Sequence, residues 1–310
     1  MKEIPGYLAV YIRSVNRYAF LLTSLLTATL IFLNYTVGIE KRIVALPTYG
    51  ESFLGFFLLF AFIFSASWFI QLICQGKQVF PQKTLTVLLL AAPLIFAVKV
   101  TLDWLSTLVT QNIQQPWDKY WGIILNWPLK CLMVAVLVIL LLRFLRFKRG
   151  ESTGINRRGF NTIPYFILLG LMIPLVILAA TRPDFLQTYP KMHRVDFIDA
   201  YVQFALPWKL LFELSYGLDF FTIEFFFRGF LVLTFLRIAG KDAILPMAAF
   251  YCAIHFGKPL FECITSYFGG LILGIIIYNT RSIWGGLIVH LGIAWLMEIA
   301  GYFGHVWRAA

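Results

Sequence analysis

Few side chains in this sequence can do acid–base chemistry inside an apolar helix, and three short constellations hold the most telling of them. The first is Glu224-Phe-Phe-Phe-Arg228-Gly229. Residues four apart share one helix face, so the carboxylate and the guanidinium can meet and neutralise each other. Such a pair either fixes helix packing or holds an ionised carboxylate ready to act as a base. The second is Tyr251-Cys-Ala-Ile-His255-Phe-Gly-Lys-Pro259, in which His255 ends an apolar run just before a Gly/Pro break. The third is His290-Leu-Gly-Ile-Ala294, with Glu298 two turns further along roughly the same face. One carboxylate and two imidazoles on three separate helices are the parts needed to activate water. The carboxylate takes a proton, and the imidazoles orient the water or stabilise an oxyanion. The same groups can ligate zinc, with Cys252 and Cys263 as added thiolates, but the HExxH spacing is absent and no cofactor is expected. Each motif taken singly also has a plainer reading, as an ion pair, a capping histidine or a packing histidine.

These residues sit in a chain built for lipid. Of its 310 residues 60% are hydrophobic and 13% charged, against about 45–50% and 25% in soluble domains. A cytosolic enzyme, a secreted disulfide scaffold and a collagen-like fibre are excluded. The four cysteines lie in apolar runs without a CxxC pair, so no disulfide framework is expected. A bilayer core needs roughly 20 apolar residues per helix. Apolar runs at about 18–37, 53–74, 85–102, 121–142, 162–180, 218–236, 243–257, 260–278 and 282–303 predict an all-α polytopic transmembrane bundle of roughly nine membrane helices. Residues 206–216 read as a short interfacial helix or as an extension of the next one. The first run lacks a small-x-small cleavage site and reads as a retained anchor.

The net charge of +11 is spread over loops between apolar runs, so no nucleic-acid partner is expected. The longest basic loop, 143–158, carries six Lys and Arg and favours a cytoplasmic N-terminus. It also marks the expected boundary, with 1–150 as membrane helices of unknown role and 151–310 as the core. Before the loop, Lys99 and Asp103 are spaced to pair along one helix face. After it, ionisable residues enter the helices themselves, and charge at bilayer depth, costing a few kcal/mol each, marks a functional site by default. Glycines at 269, 270, 274, 285, 286 and 292 permit close helix approach.

A Glu-x3-Arg-Gly on one helix, an aromatic-x3-His on the next and a third His on a later helix resemble the CPBP family of CAAX-processing and bacteriocin-processing intramembrane proteases, also called Abi. The resemblance covers about residues 200–303, and residues 1–150 match no named family. Family members carry two adjacent glutamates, the first usually assigned as the water-activating base. Here these positions are Ile223 and Glu224. The third family motif is His-x3-Asn or Asp, proposed to form an oxyanion hole, and here it reads His290 and Ala294. Adjacent helix residues point about 100° apart, so Glu224 stands in for residue 223 only if the helix is rotated or another carboxylate serves. Glu298, on the His290 face, is a better substitute than Asp219.

The resemblance implies an integral membrane endopeptidase that hydrolyses a peptide bond with activated water. Glu224 would be base or organiser of the site, Arg228 its charge partner, His255 the group orienting water and His290 the oxyanion donor, with Glu298 in support. The substrate would be a membrane protein or peptide in the bilayer, and prenylated CAAX proteins are one class that the family takes. Two other readings stay open. One is a catalytically impaired member serving as a membrane scaffold or bacteriocin-immunity-type protein, consistent with Ile223 and Ala294. The other is a proton-coupled transporter with Glu224, His255 and His290 as a relay.

Overall fold

A computed structural model describes residues 3–75, 82–147, 153–155 and 161–309. The boundary expected at 150/151 and much of the basic loop lie outside the described residues. In chain order the helices are α1 (Glu3–Ser14), α2 (Arg17–Val37), α3 (Ile39–Val44), α4 (Tyr49–Gln75), α5 (Gln82–Thr101), α6 (Trp104–Thr110), α7 (Trp117–Phe144), α8 (Ile163–Ala180) and α9 (Pro183–Leu186). A 3₁₀ helix, Lys191–Ala200, precedes α10 (Leu206–Ile223). A π-helical stretch, Glu224–Val232, then carries α10 straight into α11 (Leu233–Ala239), followed by α12 (Ile244–Ala253), α13 (Leu260–Thr280) and α14 (Trp284–Ala309).

Among the described residues seven helices are long and apolar enough to cross a membrane, and the chain is an integral, multi-pass helical protein. They coincide with seven of the nine expected runs. The run at 218–236 is part of the unbroken α10–π–α11 helix, and residues 206–216 are an extension of it. The run at 243–257 is corrected: α12 has only 10 residues, about 15 Å of helix against a core of about 30 Å. The residues that follow, up to Pro259, form a turn and not a continuation of the helix.

The chain divides into two compact units. The first comprises Met1–Thr101, Val136–Phe160 and Phe225–Gly286. At its centre is α12, every residue of which is buried, packed against α13, α4 and α2. Its core is aromatic. The ring of Phe250 lies 5.3 Å from Phe60 and from Phe64, and 5.2 Å from Phe227. Phe226 packs 5.2 Å from Phe96. The three phenylalanines between Glu224 and Arg228 are therefore core rather than lipid-facing. The entry and exit of α2 are chemically marked. The Asn16 side chain accepts the N–H groups of Tyr18 and Ala19 at the start, and Gly38, at φ +76, ends the helix by donating its N–H to the Asn34 carbonyl.

The second unit comprises Leu102–Ala135, Asn161–Glu224 and Leu287–Ala310. Its core gathers Tyr120, Ile124, Val195, Ile198, Phe212, Tyr216 and Ala294. The Tyr120 hydroxyl donates to the Trp208 carbonyl at 2.8 Å, and Ser215 donates to the Ile124 carbonyl, so α7 and α10 are joined by polar as well as apolar contacts. Asp103 is bound to Lys130 on α7 at 2.6 Å and accepts from Asn126 at 2.9 Å.

Candidate active site

In the second unit, α10 and α14 bring Glu224 and His290 together. At Gly217 the two helices are within side-chain contact, since a Cβ there would lie 3.4 Å from the Leu291 side chain. The Phe220 ring meets the His290 ring edge-on at 4.9 Å. One turn on, Glu224 is fully buried at 0% exposure, with Oε1 3.1 Å from His290 Nδ1. An ionised carboxylate only accepts hydrogen bonds, so Nδ1 then carries the proton and the neutral ring keeps its lone pair on Nε2. A carboxylate in this position fixes the tautomer and orientation of the imidazole. The pair has the composition required to take a proton from water.

Glu298 has a different task. Its two oxygens accept the backbone N–H groups of Lys191 and Met192 at 2.8 and 3.0 Å. These are the first N–H groups of the 3₁₀ helix, the donors that a helix start leaves unsatisfied. The side chain therefore fixes where Lys191–Ala200 begins, and this argues for a supporting role over that of a substitute base. Ala294 is 0% exposed within the apolar cluster of Phe212 and Tyr216.

In the first unit, Tyr251 organises Arg228 and His255. The Arg228 guanidinium lies 4.0 Å from the Tyr251 ring centroid, and both residues are buried. A desolvated cation over an aromatic face is worth about 2 kcal/mol or more. The Tyr251 carbonyl is 2.9 Å from His255 Nδ1, and because a carbonyl only accepts, Nδ1 is the donor there too. The Tyr251 ring also packs against His255, with centroids 4.7 Å apart. The aromatic-x3-His spacing thus has a local cause. The residue four before the histidine sets its tautomer and leaves Nε2 of the neutral ring to accept. His255 itself stands just past the end of α12, in the turn that runs on to Pro259.

The glycine of Glu-x3-Arg-Gly also has a physical reason. A Cβ on Gly229 would sit 2.5 Å from the Thr153 carbonyl oxygen, so backbone approaches backbone there. Gly270 on α13 plays the same part beneath Tyr251, where a Cβ would lie 3.0 Å from the ring and 3.3 Å from the Ala248 Cα.

Cys252 and Cys263 are free thiols with sulfurs 4.0 Å apart. Among the described residues no group of three or more His, Cys, Asp or Glu side chains is clustered to hold a metal ion.

The structure brings together Glu224 with His290, and Arg228 with His255 through Tyr251. Phe220 and the bonding role of Tyr251 were not legible from residue type alone. Nor was the π-helical stretch, which begins at Glu224 itself. Such segments change the facing of successive side chains and recur at functional sites. They leave no mark in a hydropathy pattern.

Residues 207–296 match the Rce1-like family model, described as type II CAAX prenyl endopeptidase Rce1-like. The match supports a CPBP-type intramembrane protease and contains Glu224, Arg228, Tyr251, His255 and His290. No curated protein and no solved structure matches the chain.

Proposed function

We propose that the chain is an intramembrane endopeptidase of the CAAX-processing class that hydrolyses a peptide bond of a membrane-associated substrate with activated water. The observation that carries this reading is the buried Glu224 carboxylate against His290 Nδ1, inside the segment that matches the family. Glu224 and His290 act as one proton-accepting unit. Water gives up a proton to the pair as its oxygen attacks the scissile carbonyl, and the same proton leaves with the amine. His255, its Nδ1 donating to the Tyr251 carbonyl, presents an Nε2 lone pair that can accept from a water O–H. Arg228, four residues on, is held over the Tyr251 ring. The basic loop at 143–158 favours a cytoplasmic N-terminus.

A second reading, a scaffold that keeps the fold without the reaction, is favoured by Ala294, which stands in an apolar core where the family has a polar group. Cleavage of a prenylated CAAX peptide by protein reconstituted in liposomes separates the two. Endopeptidase activity lost in E224Q and in H290A, with folding intact, supports hydrolysis. Absence of cleavage together with normal cellular function in the double variant E224A/H255A supports the scaffold.

A further inference from the structure

The first helices of the chain lie outside the segment that matches the family, yet one of them reaches a catalytic candidate of the first unit. Asn34 is a polar residue inside the apolar run of α2, and it is 5% exposed. A buried amide is costly unless its groups are bonded. Both ends of this one are used. Its Nδ2 donates to the Phe256 carbonyl at 2.9 Å, and its Oδ1 accepts the Glu40 N–H at 2.9 Å. The same residue's carbonyl accepts the N–H of Gly38, whose φ of +76 allows the chain to turn from α2 into α3 at that point. The next residue, Tyr35, donates its hydroxyl to the Lys258 carbonyl at 2.5 Å. Between them the Glu40 carboxylate closes on Gly257, where a Cβ would lie 2.7 Å from one of its oxygens.

Each of the three residues after His255 is thus touched by a side chain from residues 34–40. On the other side, His255 is fixed by its own N–H to the Cys252 carbonyl at 3.0 Å and by its ring to the Tyr251 carbonyl. The Lys258 N–H closes the turn on the His255 carbonyl at 3.0 Å. A turn of this kind following a ten-residue helix has little regular structure to hold it, and the clamp supplies that restraint.

We propose that Asn34, assisted by Tyr35 and Glu40, is a positioning residue for His255, and that the N-terminal helices hold the His255 turn in its working geometry. The proposal rests on the role given to His255 above. It assigns to α2 and α3 a function in the reaction without contact with the substrate.

The chain has four histidines, so selective ¹⁵N labelling of their rings in nanodiscs gives a spectrum that single His→Gln variants assign. In the wild type His255 shows a protonated Nδ1. In N34L its ring samples both tautomers while the His290 signals stay in place. A misplacement of about 1 Å costs roughly 100-fold in rate, so the partial loosening in N34L lowers kcat about 10-fold with KM within about twofold. Y35F removes the Lys258 bond and the contact of the hydroxyl with Cys263 from an exposed residue, is expected to fold normally, and shifts the His255 signals in the same direction to a smaller extent. Wild-type His255 signals in Y35F and in folded N34L overturn the proposal. If N34L alters His255 but H255A still cleaves at the wild-type rate, the clamp stands and the catalytic role of His255 falls.

Discussion

Two adjacent glycines on α13 face different surroundings, and the difference can be measured. A methyl group placed on Gly269 meets no heavy atom within 4 Å. The same group on Gly270 lies 3.0 Å from Tyr251 Cδ1, 3.3 Å from the Ala248 Cα and 3.4 Å from its Cβ. Comfortable carbon contacts are about 3.5–4.0 Å, so α12 and α13 must part by roughly half an ångström or the Tyr251 ring must turn. Both substitutions gain about 0.8–1.0 kcal/mol of helix propensity, and this cancels when the two variants are compared. Only G270A carries an overpacking cost of about 1–3 kcal/mol. At about 2–4 °C per kcal/mol, G270A melts roughly 2–12 °C below G269A in the same detergent. G270A also lowers the cleavage rate, because the displaced ring supports Arg228 and fixes His255. G269A melts at or above the wild type with unchanged cleavage. A G270A protein as stable and as active as G269A would refute the claim that the α12–α13 contact sets the position of Tyr251.

Arg228→Lys is not conservative here, because a compact ammonium cannot spread over the Tyr251 ring as the planar guanidinium does. It is expected to lose about 1–2 kcal/mol, read as a lower melting temperature, together with most of the activity. Glu298→Gln leaves one oxygen for two backbone donors, so it is expected to lower stability by about 1–2 kcal/mol while sparing the rate per folded molecule. A rate lost without a change in melting would return Glu298 to the chemistry. Asp103 lies between spans. Burial alone raises its pKa, but the ammonium of Lys130 and the amide of Asn126 more than offset this and hold it below the ordinary carboxylate range. With its folded value lowered, the stabilisation is present above the unfolded value near 3.8 and is lost as pH falls through the lower folded one. The carboxylate is largely exposed, so the gain is below about 1 kcal/mol, and the melting curves of wild type and D103N should converge only as pH falls below 3.8 through the lower folded value.

The sequence and the structure agree where the physics is an average over many residues and part where it depends on single contacts. Runs of apolar residues long enough to cross a bilayer are visible in composition, and seven of them are helices of the required length. The run at 243–257 misleads because hydropathy counts apolar side chains without asking where the backbone stops, and here α12 ends at Ala253. The spacing of Glu224, His255 and His290 could be read directly, since each motif is local. The tautomer of His255 could not, because it depends on which carbonyl faces Nδ1. Glu298 shows the same limit. An acidic residue on the His290 face looked available for proton transfer, and its oxygens prove to be taken by the backbone of a segment over 100 positions away. The bonds of Asn34 cannot be read from its apolar neighbours, because its partners at Phe256 and Glu40 are set by tertiary contact.

The central claim is hydrolysis by water activated at Glu224 and His290. Reconstituted protein should be given a prenylated CAAX peptide in ¹⁸O-labelled water and the released products weighed by mass spectrometry. The account predicts one ¹⁸O atom in the newly formed carboxylate with the wild type, and no product above background with E224Q or H290A. Wild-type rates of cleavage in folded E224Q, or a product without the label, would contradict it.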